Sequence, residues 1–114
     1  MANLEITSEE KKDITVLHLK GFLDAYTFQE FEDKLKDLIT EEKVKIIVSM
    51  DELDYISSAG LGVFMSVIGQ IRGKGGDIKL TQLNSKVYRV FELLGFTKLF
   101  QTFDNIEEAK ENFK

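Results

Sequence analysis

The chain has no cysteine, no proline, no tryptophan and a single histidine among its 114 residues. Without cysteine there is no disulfide framework and no thiolate chemistry. One imidazole and no thiol leave a zinc site short of ligands. A Ser-His-Asp triad would need His18 close to Ser57 or Ser58, and His18 stands inside a strand pattern, where it reads as a half-buried strand residue. No stretch of eighteen uncharged apolar residues occurs, so no membrane span is expected. The first six residues, Met-Ala-Asn-Leu-Glu-Ile, lack the basic and apolar regions of a signal peptide. A cytoplasmic location is expected. Basic clusters are missing too: none exceeds Lys11-Lys12, and the formal net charge is −5. That disfavours nucleic acid, whose affinity rests largely on neutralising phosphates.

What is present suffices for one compact core. Forty-three per cent of the residues are apolar, and the length fits one domain over residues 1–114. Residues 4–7 predict a short edge strand. Residues 14–20 predict a strand with Thr15, Leu17 and Leu19 on one face and Ile14, Val16 and His18 on the other. Gly21 is expected to end it. Thr27-Phe28-Gln29-Glu30 matches a capping box, with Tyr26 and Phe31 as the hydrophobic staple. Phe28, Phe31, Leu35, Leu38 and Ile39 then share one helical face.

A buried strand is expected at residues 45–50 and a helix at 63–72, with Leu61, Phe64, Met65, Ile68 and Ile71 inward. A glycine-rich turn at 73–77 leads to a strand at 78–81. It lacks the spacing of a phosphate-binding P-loop. Asn84 or Ser85 can cap a third helix carrying Val87, Val90, Phe91 and Leu94, with Gly95 at C′. Residues 99–102 suggest a last strand, and Asp104 with Glu107 a capped terminal helix. Strands alternating with helices imply an α/β fold: a small mixed, largely parallel sheet flanked by about four helices.

The most informative segment is Ile56-Ser57-Ser58-Ala59-Gly60-Leu61-Gly62. It lies where a strand gives way to a helix, and unpaired N–H groups at a helix start attract anions. Ser57 or Ser58 can cap the helix, but one cap needs one hydroxyl. The run of small residues leaves an open helix start beside Leu61, a surface suited to a partner protein. A phosphate on Ser58 would be tolerated there by the helix dipole. Catalytic candidates are weak. Ser57-Ser58-Ala59-Gly60 does not follow the Gly-x-Ser-x-Gly elbow. A turn accounts for Asp51, Glu52 and Asp54 better than a metal site. Neither enzyme activity nor a cofactor or metal is expected.

The stretch ending Tyr55-Ile56-Ser57-Ser58-Ala59-Gly60-Leu61-Gly62 resembles the signature of STAS domains, particularly bacterial anti-sigma factor antagonists. Gly21-Phe22-Leu23-Asp24 resembles the family's earlier Gly-x-Leu/Ile-Asp segment, and Phe91-Glu92-Leu93-Leu94-Gly95-Phe96 its late Leu-x-Gly-Leu segment. The resemblance implies a module that binds an anti-sigma factor which is also an ATP-dependent serine kinase, so that a sigma factor is freed. It implies phosphorylation at Ser58, dissociation of the complex, and reversal by a metal-dependent serine phosphatase. Asp24 matches the family's aspartate near that serine, implied to help position the kinase's nucleotide and metal. The partner surface implied is Asp24, Ser57, Ser58, Ala59, Gly60, Leu61 and Gly62. Ser57 stands where many members carry aspartate, which makes it a competing acceptor. It also motivates an alternative, a STAS scaffold of a signalling or lipid-transport complex without a phosphoswitch.

Overall fold

A computed structural model describes residues 3–113; Met1, Ala2 and Lys114, included above in the expected domain, lie outside it. The elements run β1 (Leu4–Lys11), β2 (Ile14–Leu23), α1 (Phe28–Thr40), β3 (Lys45–Ile56), α2 (Ser58–Gly73), β4 (Asp77–Thr81), α3 (Ser85–Leu93), a 3-10 turn (Phe96–Lys98), β5 (Thr102–Phe103) and α4 (Ile106–Glu111). The strands form one sheet in the order β1-β2-β3-β4-β5. β1 pairs antiparallel with β2, and the other three pairings are parallel. This is the mixed, largely parallel sheet that the pattern predicts.

Alternation along the strands decides which helix covers which face. Leu17, Leu19, Val48, Met50, Ile78 and Leu80 join α1, α2 and α3 in the main core. Phe64 of α2 sits at its centre. Its ring meets Phe31 at 5.2 Å and Phe91 and Phe100 at 5.7 Å each, all edge-on, the arrangement that aromatic quadrupoles favour. The opposite face holds a smaller cluster, in which Val16, Ile47 and Ala109 pack with Ile14, Phe103, Ile106 and Phe113. The short α4 therefore covers one end of that face. Lys79 is buried on this side at 5% exposure; its ammonium bonds Gln101 Oε1 and lies 4.7 Å from the centre of the Phe113 ring.

Several elements depart from the sequence expectation. β1 is twice as long as expected, because Ser8, Glu9, Glu10 and Lys11 pair in register with Leu17, Val16, Thr15 and Ile14. Their polar side chains suit an exposed edge. β2 runs through Gly21 to Leu23, and β3 runs on to Ile56. Asp51, Glu52 and Asp54 thus lie in a strand and form no turn. The β2–β3 register slips twice, between His18 and Lys20 and between Gly21 and Phe22. Each slip gives β3 one extra residue, and such bulges break the alternation that marks a strand.

The capping box fails at Thr27. Its backbone is helical, at φ −116° and ψ −12°, and its hydroxyl donates back to the Phe22 carbonyl at 2.8 Å. Tyr26 is 89% exposed, so the staple does not form, while Met65 and Leu94 are exposed rather than inward. β5 starts at Thr102, and α4 is capped by Asn105, whose Oδ1 accepts the Glu108 N–H at 2.9 Å. Asn84 caps α3 through the Val87 N–H at 2.8 Å. Gly95 follows α3 at φ +78°, the left-handed conformation that a helix C′ position favours.

One ion pair gives a pH test. The Lys45 ammonium donates to Asp13 at 2.8 Å and holds that carboxyl below its ordinary value. A lowered folded value contributes stability above the ordinary carboxylate range, lost as the pH falls through the folded value. Lys45→Met is expected to move the Asp13 titration upward, towards the ordinary carboxylate range; an NMR titration of its side-chain carbons checks this.

Candidate functional site

The serine loop forms where β3 ends against the end of β2. Leu23 is the last residue of β2, and its carbonyl accepts the Ser57 N–H at 2.9 Å. That bond sets the β3–α2 junction beside the β2–α1 turn. Asp24 organises the turn: its Oδ1 accepts the N–H of Tyr26 at 2.9 Å and of Thr27 at 3.2 Å, and its carbonyl accepts the Phe28 N–H at 2.9 Å. Asp24 is half-buried. Its bonds are those of an Asx turn, which begins one residue after the Leu23 carbonyl that holds the Ser57 N–H.

The two serines have different positions. Ser57 is the N-cap, extended at φ −104° and ψ 175°, and its Oγ accepts the Gly60 N–H over a long 3.4 Å. Its carbonyl takes the Leu61 N–H at 3.0 Å. Ser58 is the first helical residue and is exposed. Among the described residues, no acceptor meets the N–H of Ser58 or Ala59. A hydroxyl therefore stands beside two uncommitted amides at the positive end of a sixteen-residue helix.

The small residues after it also separate. Gly60 is buried, and a Cβ there would lie 2.7 Å from Leu23 Cγ, 3.0 Å from the Leu23 carbonyl oxygen and 3.1 Å from Ile56 Cγ1. Gly62 is exposed with nothing within 4 Å of that position. Leu61 turns inward and is 3% exposed. It belongs to the core, since α2 must bury Leu61, Phe64 and Ile68 on one face. Of the residues in the partner surface implied by the resemblance, Ser58 and Gly62 are exposed, Asp24, Ser57 and Ala59 are half-buried, and Gly60 and Leu61 are buried.

This distinction is testable. Gly60→Ala is expected to cost about 1–3 kcal/mol of overpacking, of which helix propensity returns up to about 1 kcal/mol. Gly62→Ala meets no atom and is expected to stabilise by up to about 1 kcal/mol. Urea unfolding of the two variants checks the opposite signs.

The sequence pattern missed an aromatic surface around the loop. Phe22 and Tyr55 face each other across β2 and β3, with ring centres 6.1 Å apart, and both are more than 40% exposed. Tyr26 projects from the Asp24 turn. The available signal is the set of aromatic residues flanking Asp24 and Ser57, of which Tyr26 reads by its spacing as a staple to Phe31.

Fold and loop together define a small α/β recognition module, with one hydroxyl displayed at a helix start. Among the described residues, no group of three metal-ligating side chains occurs, and no helix is long and apolar enough to cross a membrane. The STAS domain family model matches residues 5–109, and the chain belongs to that family. The anti-sigma F factor antagonist of Paenibacillus polymyxa is 28% identical over 104 residues, covering 90% of this chain and 89% of that protein. A crystal structure from Thermotoga maritima is similar with a TM-score of 0.89 at 25% identity, covering 94% of this chain and 92% of that one. The phosphorylated form of the Bacillus cell fate determinant SpoIIAA shares the fold, with a TM-score of 0.76 at 20% identity, covering 96% of this chain and 100% of that one.

Proposed function

We propose that this chain is an anti-sigma factor antagonist whose binding is switched off by phosphorylation of Ser58. The partner is an anti-sigma factor that is also an ATP-dependent serine kinase, and its capture by this chain frees a sigma factor. The observation that carries the reading is the division of labour between the serines. Ser57 is occupied with capping α2, while the Ser58 hydroxyl stands exposed beside free amides. Membership of the STAS family and the name of the Paenibacillus relative support it.

Transfer moves the γ-phosphoryl group of ATP to Ser58 Oγ; the hydroxyl loses its proton and ADP leaves. The phosphate carries about −1.5 to −2 charges at neutral pH. At the first turn of α2 it meets the N–H groups of Ser58 and Ala59, and the dipole contributes about 0.3–1 kcal/mol. The domain therefore keeps its fold. A docked partner instead meets a dianion where a hydroxyl had been, against a surface formed in part by Phe22, Tyr26 and Tyr55. Uncompensated charge across such an interface costs several kcal/mol. A serine phosphatase then restores the binding form. Asp24, in the turn that follows β2, helps orient the kinase's nucleotide and metal in this reading.

The direct test mixes the chain with a preformed complex of sigma factor and anti-sigma kinase. Release of the sigma factor by the unphosphorylated chain is expected; a sigma factor that stays bound at saturating chain contradicts the reading. Tyr26→Ala is expected to weaken kinase binding tenfold or more without changing Tm. Its ring is 89% exposed and contributes little to the core, whereas interface aromatics are frequent hot spots. Titration calorimetry with the purified kinase measures it.

A further inference from the structure

A second recognition surface lies where α3 meets the end of β3. Asn84 ties the two elements together: its Nδ2 donates to the Leu53 carbonyl at 3.0 Å, while its Oδ1 accepts the Val87 N–H at 2.8 Å. Beyond that tie, Tyr55 and Ile56 of β3 and Lys86, Val87 and Val90 of α3 line a socket of about 60 Å³. Ile56 and Val87 belong to the main core. Val90 is half-buried and Tyr55 is 45% exposed, so the socket opens to solvent between them.

The helix face beside the socket carries charge of one sign. Lys86, Arg89, Val90 and Leu93 recur at the spacing of a single helical face. Lys86 and Arg89 are exposed. Lys43, Lys45 and Lys74 each meet a carboxylate, at 2.7 Å, 2.8 Å and 2.8 Å. Lys86 and Arg89 have no such partner among the described residues, Glu92 of their own helix included. In a chain of net charge −5, these adjacent uncompensated cations leave a local positive face. Leu93 closes it at 70% exposure.

We propose that this face is a further contact for the anti-sigma kinase, an inference that rests on the function proposed above. It takes an acidic segment of that protein, with one aliphatic side chain in the socket and its carboxylates on Lys86 and Arg89. Charge selects this chemistry: uncompensated cations attract carboxylates and repel a basic segment. The socket is far smaller than the roughly 300–1,000 Å³ of small-molecule sites, which suits the branched end of a valine, leucine or isoleucine and excludes a metabolite. An apolar anchor in a pocket rimmed by charge pairs is the usual build of a binding hot spot. Tyr55 lines the socket and also faces Phe22 at 6.1 Å, so this contact is continuous with the aromatic surface beside the serine loop.

The test is surface plasmon resonance of the whole chain with the purified anti-sigma kinase, at low and at physiological salt. Lys86→Glu combined with Arg89→Glu is expected to weaken binding about tenfold or more at low salt, mostly through slower association, and to remove the salt sensitivity of the parent. Val90→Phe, whose ring fills the socket, is expected to weaken binding about tenfold through faster dissociation. Lys11→Glu combined with Lys12→Glu makes the same charge change by the start of β2, at the opposite end of the sheet from the serine loop, and should bind like the parent. Lys86 and Arg89 are exposed, so their double variant should fold even if Val90→Phe is destabilised; thermal unfolding checks each. Parent-like affinity in either α3 variant, or equal weakening by the Lys11 and Lys12 control, overturns the proposal and leaves the Ser58 switch standing. So does a parent dimer in sedimentation that the α3 charge variant abolishes, which assigns the face to a second copy. A parent that does not bind the kinase at all overturns the function above and this contact with it.

Discussion

Ser58→Asp is expected to lower affinity for the anti-sigma kinase about a hundredfold, a loss of about 2.7 kcal/mol. The substitution places one carboxylate where the natural switch places a dianion, so phosphoserine itself should do more, up to about a thousandfold. The free protein should be as stable as the parent or slightly more so. An acidic residue in the first turn of α2 gains about 0.3–1 kcal/mol from the helix dipole. Ser58→Ala should bind like the parent and resist release by ATP. Calorimetry with the kinase, alongside thermal unfolding, separates a lost interface from a lost fold. Undiminished binding by the Asp variant would favour a STAS scaffold that works without a phosphoswitch.

The largest stability effect is expected at Phe64. This ring is fully buried and touches Phe31, Phe91 and Phe100 edge-on. Phe64→Ala removes the common partner of three aromatic contacts and leaves a cavity between α1, α2 and α3. The expected cost is about 3–5 kcal/mol, a large share of the roughly 5–15 kcal/mol that holds a domain together. Phe64 lies on the same helix as Ser58 and anchors it to the sheet, so kinase binding should fall with it. Urea unfolding checks the first claim. A loss below about 1.5 kcal/mol would mean that the surrounding rings collapse to fill the space.

Periodicity carries the buried elements well. The Phe31, Leu35, Leu38 and Ile39 stripe becomes the inner face of α1, and the apolar run before the serines becomes the central strand. Where local chemistry competes with tertiary bonding, the reading goes astray. Thr27 has the sequence of a cap, but the end of β2 offers its hydroxyl the Phe22 carbonyl. The acidic residues at 51–54 have turn composition, yet they stay in β3 because two bulges let the strand bend while β2 still pairs with it.

At the serine loop, the sequence marks a helix start with two hydroxyls but cannot divide their roles. That division depends on the Leu23 carbonyl holding the Ser57 N–H, a bond between residues 34 positions apart. Leu61 and Gly60 illustrate the same limit. Both sit in an accessible motif, yet Gly60 is packed against Leu23 and Ile56 and Leu61 is buried in the main core. The socket between β3 and α3 is invisible in the sequence for a related reason, since only tertiary packing brings Val87 and Val90 beside Tyr55 and Ile56.

Incubation of the intact complex with ATP, followed by fragmentation mass spectrometry of both bound and released chain, examines the switch most closely. A single phosphate on Ser58, found only in the released fraction, is the expected result. No phosphate on Ser58, or Ser58-phosphorylated chain still held by the kinase, would contradict the account.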